Sequence, residues 1–218
     1  DWTVTSKHFD NIQKKLVQVG AKLITGPRGT GKTHQMRFAH YSCVNDDSKP
    51  LSIYVTFNHY LRLETYLHES SNAISIFHSW VLAKIVIACF EEYKILPHNI
   101  EFTDSDLRSF IIDIEKQNYS EEYKELVSFL NVRTVQDYIE SVLSHTNRKR
   151  AILLLDDAAL TLTNDYLVEF FDIFRSLKST KISPKASVYP GTTKYRPRFH
   201  LGQDAELVLK RLNVSDPE

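Results

Sequence analysis

The sequence predicts an α/β protein: a three-layer α/β/α sandwich on a mainly parallel sheet, with a helical insertion between the second strand and the third. Three observations carry this. Three of the chain's six glycines crowd into GPRGTG (26–31), between a short apolar run, AKLIT (21–25), and a helical stretch, KTHQMRFAHYSC (32–43). A second apolar run, AILLL (151–155), ends in paired aspartates, Asp156 and Asp157. Around these, runs of strand length alternate with stretches of helical period, the pattern of a parallel sheet covered by helices.

The elements follow in order. AKLIT is a short buried strand, and the helix after it places Met36, His40 and Cys43 on one side. LSIYVTF (51–57), rich in β-branched and aromatic residues, is the second strand. Residues 72–146 read as helical. The stretch NAISIFHSWVLAKIVIACFEEY (72–93) is apolar on most sides, which predicts a buried helix. TDSD (103–106) and TVQD (134–137) each have the form of a capping box opening a helix. The second predicts an inward stripe of Val135, Tyr138, Ile139 and Val142. The run 151–155 is apolar on both faces, as in a central parallel strand. NDYLVEFFDIFRSLK (164–178) is an amphipathic helix. ASVYPGTT (186–193) predicts a further strand, and FHL (199–201) the start of another.

Composition excludes several classes. At 218 residues the chain suits a single domain, 1–218, with the insertion at about 72–146. It opens at Asp1 without methionine and ends soon after a predicted strand, so the expectation is a piece of a longer protein. Lys and Arg total 27, as do Asp and Glu, so no global charge points to nucleic acid or an anionic membrane. The longest apolar run, WVLAKIVIACF (80–90), is short for a bilayer and contains Lys84. Two distant cysteines, Cys43 and Cys89, fit a reduced, cytoplasmic protein, and they lack zinc-site spacing.

The glycine-rich stretch reads G-x-x-x-x-G-K-T, with Gly26, Gly31, Lys32 and Thr33 in the fixed places. It resembles the Walker A loop, or P-loop, of nucleoside-triphosphate-binding proteins. A loop that wraps a phosphate must turn successive N–H groups inward, and residues without Cβ allow that curvature. The match implies a nucleotide cradle of Gly26, Pro27, Arg28, Gly29, Thr30, Gly31, Lys32, Thr33 and His34. Lys32 would reach the β- and γ-phosphates, and the Thr33 hydroxyl would bind Mg²⁺. The helix opening near Lys32 aims its positive end at the same phosphates. An ordinary glycine turn is the competing reading. With this composition the four fixed residues arise by chance in about two chains per thousand, before the strand–loop–helix context is counted.

The run RKRAILLLDDA (148–158) resembles a Walker B motif. Asp156 would hold Mg²⁺, and Asp157 would polarise the attacking water in the place many ATPases give to glutamate. Walker A, Walker B, then a strand ending in small polar residues is the motif order of the additional-strand NTPases. These include AAA+ proteins of the origin-recognition type and the related STAND signalling ATPases. The resemblance covers about residues 18–201. It implies a sensor 1 residue at Thr192 or Thr193, with Thr192 favoured and counted among the catalytic residues. It also raises an arginine finger at Arg196 or Arg198, against a solvated basic loop.

No Asn-Lys-x-Asp guanine motif appears, which leaves ATP as the nucleotide. The implied activity is Mg²⁺-dependent ATP hydrolysis driving assembly or remodelling, in a homo-oligomer or protein complex. A nucleotide-gated scaffold with little turnover is the alternative, and nucleic acid is an open partner. NRKR (147–150) reads as a solvated turn that could join Lys178, Lys181 and Lys185 in a basic face.

Overall fold

The computed structural model describes residues 7–57, 72–96, 102–158, 164–189 and 199–209. Five strands form one sheet: β1 (Lys22–Thr25), β2 (Leu51–Thr56), β3 (Ala151–Asp156), β4 (Ile182–Val188) and β5 (Glu206–Leu209). Their order is β2-β3-β4-β1-β5 and every pairing is parallel. The strand after the aspartate pair, β4, therefore lies between the glycine-loop strand and the aspartate strand. That is the arrangement of an additional-strand P-loop sandwich.

Side chains alternate across the sheet, and the core divides accordingly. On β3, Ile152 and Leu154 pack on one face with Ile24, Met36, Ala39 and Cys43. This face is covered by α1 (Lys7–Val17) and α2 (Lys32–Val44), with Ile12 and Leu16 of α1 filling the layer. Ala151, Leu153 and Leu155 face the other way, into the larger core formed with the insertion. No signal in the glycine, strand or capping patterns marked α1.

The insertion consists of α3 (Ala73–Tyr93), α4 (Asp104–Glu115), a 3₁₀ turn at Glu121–Tyr123, α5 (Lys124–Phe129) and α6 (Val132–His145). Helix α3 is long and apolar enough to cross a membrane by length and composition. Here Ile76, Trp80, Ile85 and Val86 are buried in the main core instead. Lys84, the one charge inside its apolar run, pairs with Glu115 of α4 at 2.9 Å and lies 5.0 Å from the Trp80 ring centroid. Phe57, at the end of β2, meets Trp80 and Phe170 edge-on at 5.6 and 5.7 Å, tying the sheet to α3 and to α7 (Asn164–Ser176).

The Thr103–Asp106 capping box forms as predicted, and Val135, Tyr138, Ile139 and Val142 are buried. The TVQD box does not form. Helix α6 starts three residues earlier, capped by Asn131, whose Oδ1 accepts from the Thr134 N–H at 3.1 Å. Thr134 is already helical and donates to the Phe129 carbonyl, while Asp137 pairs back to Arg133. Asn131 wins because it is in the extended conformation that a cap requires.

Two strand boundaries also differ. Strand β4 begins at Ile182, not at 186, and includes the fully buried Lys185. Pairing with β1 starts only at Lys185, so Pro184 sits where β3 alone flanks the strand. A proline is tolerated there as on an edge. The last strand is Glu206–Leu209; within 199–201, only Leu201 forms an isolated bridge, with Ala205.

Candidate functional site

The carboxyl ends of β1, β3 and β4 meet at one rim of the sheet. Thr25 is in register with Val188, and Leu155 with Ala186, which brings the loop after β1 and the aspartates after β3 to either side of the end of β4. A cleft of about 490 Å³ opens there, bounded by Arg28, Gly29, Gly31, Lys32 and Thr33, by His34 and Arg37 of α2, and by Asp157 and Tyr189.

In the loop, Gly29 and Gly31 have φ 82° and 76°, the left-handed region that L side chains resist. Gly26 is not in that region; its carbonyl instead accepts from Lys32. Gly31 caps α2 without any side-chain hydrogen bond, so the first amides of the helix are not closed off by a capping side chain. The Lys32 ammonium is buried. It donates to the carbonyls of Gly26 at 2.6 Å and Pro27 at 3.0 Å, and lies 3.7 Å from the centroid of the Tyr189 ring. Thr33 is half-buried in the first turn, with His34 and Arg28 exposed beside it.

Asp156 is fully buried, and both of its oxygens are held. Oδ2 accepts from the Tyr54 hydroxyl at 2.9 Å, and Oδ1 accepts from the Asp157 N–H at 3.1 Å. Burial and the Asp156 charge push the Tyr54 hydroxyl well above the usual phenol range, so it remains a donor. Asp157 has φ 62°, and its N–H also donates to Ser187 Oγ at 2.9 Å. Its Oδ1 accepts from the Tyr189 hydroxyl at 3.3 Å. Burial, then the Asp156 charge, raises the Asp157 carboxyl, while Tyr189, Lys32 and Arg28 pull it down. Burial also pushes the Tyr189 hydroxyl up to about 12.

A model of the ORC-CDC6-like family matches residues 1–186. The chain belongs to the ORC-CDC6-like family. Within the resemblance, the match supports the origin-recognition type of AAA+ P-loop ATPase. It includes α1, and it stops inside β4. No curated protein matches the chain.

For this ORC-CDC6-like chain, the predicted loop residues 26–34 and the Asp156–Asp157 pair are thus gathered at one rim. Thr192, Thr193, Arg196 and Arg198 lie outside the described residues. Sequence reasoning missed Tyr54, Ser187 and Tyr189, because a hydroxyl in a strand pattern reads as packing until the register sets it beside a carboxylate.

The basic turn also needs correction. Arg148 is buried, not solvated; its guanidinium donates to the carbonyls of Cys43 and Pro50 and to Asp47, holding the end of α2. Arg150 donates to the Val17 carbonyl at the end of α1. Lys185 is buried on the carbonyls of Gln18 and Gly20. Arg148 and Lys185 are thus withdrawn from the basic face, while Lys149, Lys178 and Lys181 remain exposed.

Proposed function

We propose that this ORC-CDC6-like domain binds ATP with Mg²⁺ and hydrolyses it. Nucleotide state would then drive assembly or remodelling of a protein or nucleic-acid complex. The observation that carries this reading is the meeting of the glycine loop and Asp157 at one cleft, across the inserted strand β4, with Asp156 buried directly behind Asp157. The donor set fits magnesium. Among the described residues no three His, Cys, Asp or Glu side chains cluster as an all-protein cage. One hydroxyl (Thr33) and one carboxylate (Asp156) are what Mg²⁺ uses when phosphates and water complete its shell. Bound there, the ion would neutralise charge on the β- and γ-phosphates.

The chain's own groups do the rest. Loop amides and the open end of α2 receive phosphate oxygens. Lys32 exchanges its two loop carbonyls for the phosphates, a short swing of a flexible side chain. Asp157 orients a water whose oxygen bonds to the γ-phosphorus. The bridging P–O bond breaks, its electron pair leaving on ADP, and the water's proton passes to the Asp157 carboxylate and then to solvent.

The scaffold reading draws support from Lys32, held by its own loop and covered by Tyr189, which favours slow turnover. Calorimetry with ATP and measurement of phosphate release separate the two. Lys32→Ala should lose most nucleotide binding. Asp157→Asn should keep ATP affinity while hydrolysis falls, the mark of a group needed only in the transition state. Asp156→Asn should weaken the Mg²⁺ dependence. Slow hydrolysis unaltered by Asp157→Asn, with tight ATP binding, would select the scaffold. Undiminished ATP binding by Lys32→Ala would overturn both.

A further inference from the structure

The cleft holds a cation that no motif marks. Arg37 lies one helical turn beyond Thr33, on the same face of α2, and lines the cleft with Lys32, Thr33 and Asp157. Its Nε donates to the Tyr54 hydroxyl at 3.4 Å, and its guanidinium carbon is 5.7 Å from the centre of the Tyr54 ring. That same hydroxyl donates to Asp156 Oδ2 at 2.9 Å. One phenol therefore holds both the guanidinium and the carboxylate proposed to bind the metal. Among the described residues Arg37 forms no ion pair, so its two terminal nitrogens are not committed to a carboxylate. An exposed arginine fixed beside an acidic pair and facing a cleft, without a salt bridge of its own, matches an anionic ligand better than a structural role.

We propose that Arg37 is a cis-acting cation for the terminal phosphate of the bound nucleoside triphosphate, positioned by Tyr54. The inference rests on the nucleotide-hydrolysis reading above. A guanidinium presents a planar fork of N–H donors that suits phosphate oxygens, and its charge is permanent. Reaching the γ-phosphate from within the chain, it stabilises the charge on the three terminal oxygens without a second subunit. Two consequences follow. Triphosphate is bound in preference to diphosphate through Arg37, and turnover per chain does not require a neighbour's arginine.

The test compares the parent with Arg37→Ala, Arg37→Lys, Tyr54→Phe and Lys32→Ala. Calorimetry with ATP and with ADP, both in Mg²⁺, is combined with phosphate release over a wide range of protein concentration. Thermal melting checks that the variants fold, and the exposure of Arg37 gives no reason for them to fail. Arg37→Ala should bind ADP as the parent does and lose the preference for ATP, while hydrolysis falls by roughly 10³-fold. Arg37→Lys should recover ATP affinity and only part of the turnover. Tyr54→Phe should lose about tenfold and need more Mg²⁺, as expected for a group that orients a metal ligand. A parent ATP-to-ADP ratio and parent turnover in Arg37→Ala would overturn the proposal, as would turnover that appears only on assembly and ignores Arg37. If Lys32→Ala loses nucleotide while Arg37→Ala is unaltered, the Arg37 assignment alone fails. If the parent binds neither nucleotide, the hydrolysis reading fails and takes this inference with it.

Discussion

Asp157 has a left-handed backbone at φ 62°, held by its N–H to Asp156 Oδ1 and Ser187 Oγ. Asp and Asn tolerate that region better than longer side chains do. The local geometry thus gives a reason for aspartate where many ATPases carry glutamate. A turn that places the carboxylate above the buried Asp156 is one that glutamate would strain. Asp157→Glu should therefore lower stability by about 1 kcal/mol, and it should not raise phosphate release. Asp157→Asn should fold as well as the parent. Urea midpoints and a phosphate assay check both, and a Glu variant equal in stability and faster in turnover would refute the account. The residues of the loop were legible because they must be particular types at fixed spacing. Tyr54 and Tyr189 were not, since their role comes from which strand ends lie side by side.

Among the elements, α2 depends on a residue more than a hundred positions away. The Arg148 side chain is 3% exposed and donates to the carbonyls of Cys43 and Pro50 at 2.8 and 3.1 Å. Its partner carboxylate, Asp47, is 95% exposed, so the ion pair itself is worth little and the carbonyl bonds carry the effect. Arg148→Met should leave those acceptors unpaired and lower stability by about 2–3 kcal/mol. Arg133→Ala, at a side chain 81% exposed, should stay within about 0.5 kcal/mol. Equal midpoints for the two variants in urea would show that the buried arginine does not support the helix end. The same element scale shows what the sequence could reveal. Helices α3 and α6 announced themselves by a long apolar run and by an inward stripe. The start of β4 did not, because Ser183, Pro184 and Lys185 lack the apolar pattern of a buried strand. Only the fold shows them passing through the middle of a sheet, with Lys185 answering two carbonyls at the end of α1 and Pro184 facing a neighbour on one side. Asn131 and Thr134 both suit a cap, and the choice between them lay in the backbone on either side.

For the whole molecule, the charge balance acquires a structural meaning. Two cations that could have joined a basic face, Arg148 and Lys185, lie inside, and Lys185 is the extreme case, with no exposure at all. Burial, then the nearby charges of Lys22 and Arg150, lowers its ammonium to about 7, against the pull of Glu206. The folded value is thus below that of the unfolded chain. Between about pH 7 and the ordinary lysine range, the unfolded chain holds a proton that the folded chain has released, so stability from this group rises with pH. Below pH 7 both states are protonated and the cost of the buried charge is constant. The carbonyls of Gln18 and Gly20 accept from ammonium or amine alike, so the hydrogen bonds survive the titration. Other groups act in different windows. Glu206, held down to about 2 by Lys15 and Lys22, loses its contribution only in acid. Burial raises Cys89 to about 12, so it opposes stability only once the unfolded thiol ionises. Buried Cys43 is raised in the same sense, and both unfolded thiols begin to ionise within the interval from pH 7 to 9, so it is the difference between the parent and Lys185→Met that isolates Lys185 there. In that interval the stability of the parent relative to Lys185→Met should rise by roughly 1 kcal/mol per pH unit. Paired urea titrations at pH 7, 8 and 9 measure it. A difference that stays flat would mean that the ammonium remains charged at the centre of the sheet, with the two carbonyls stabilising the cation enough to cancel its desolvation.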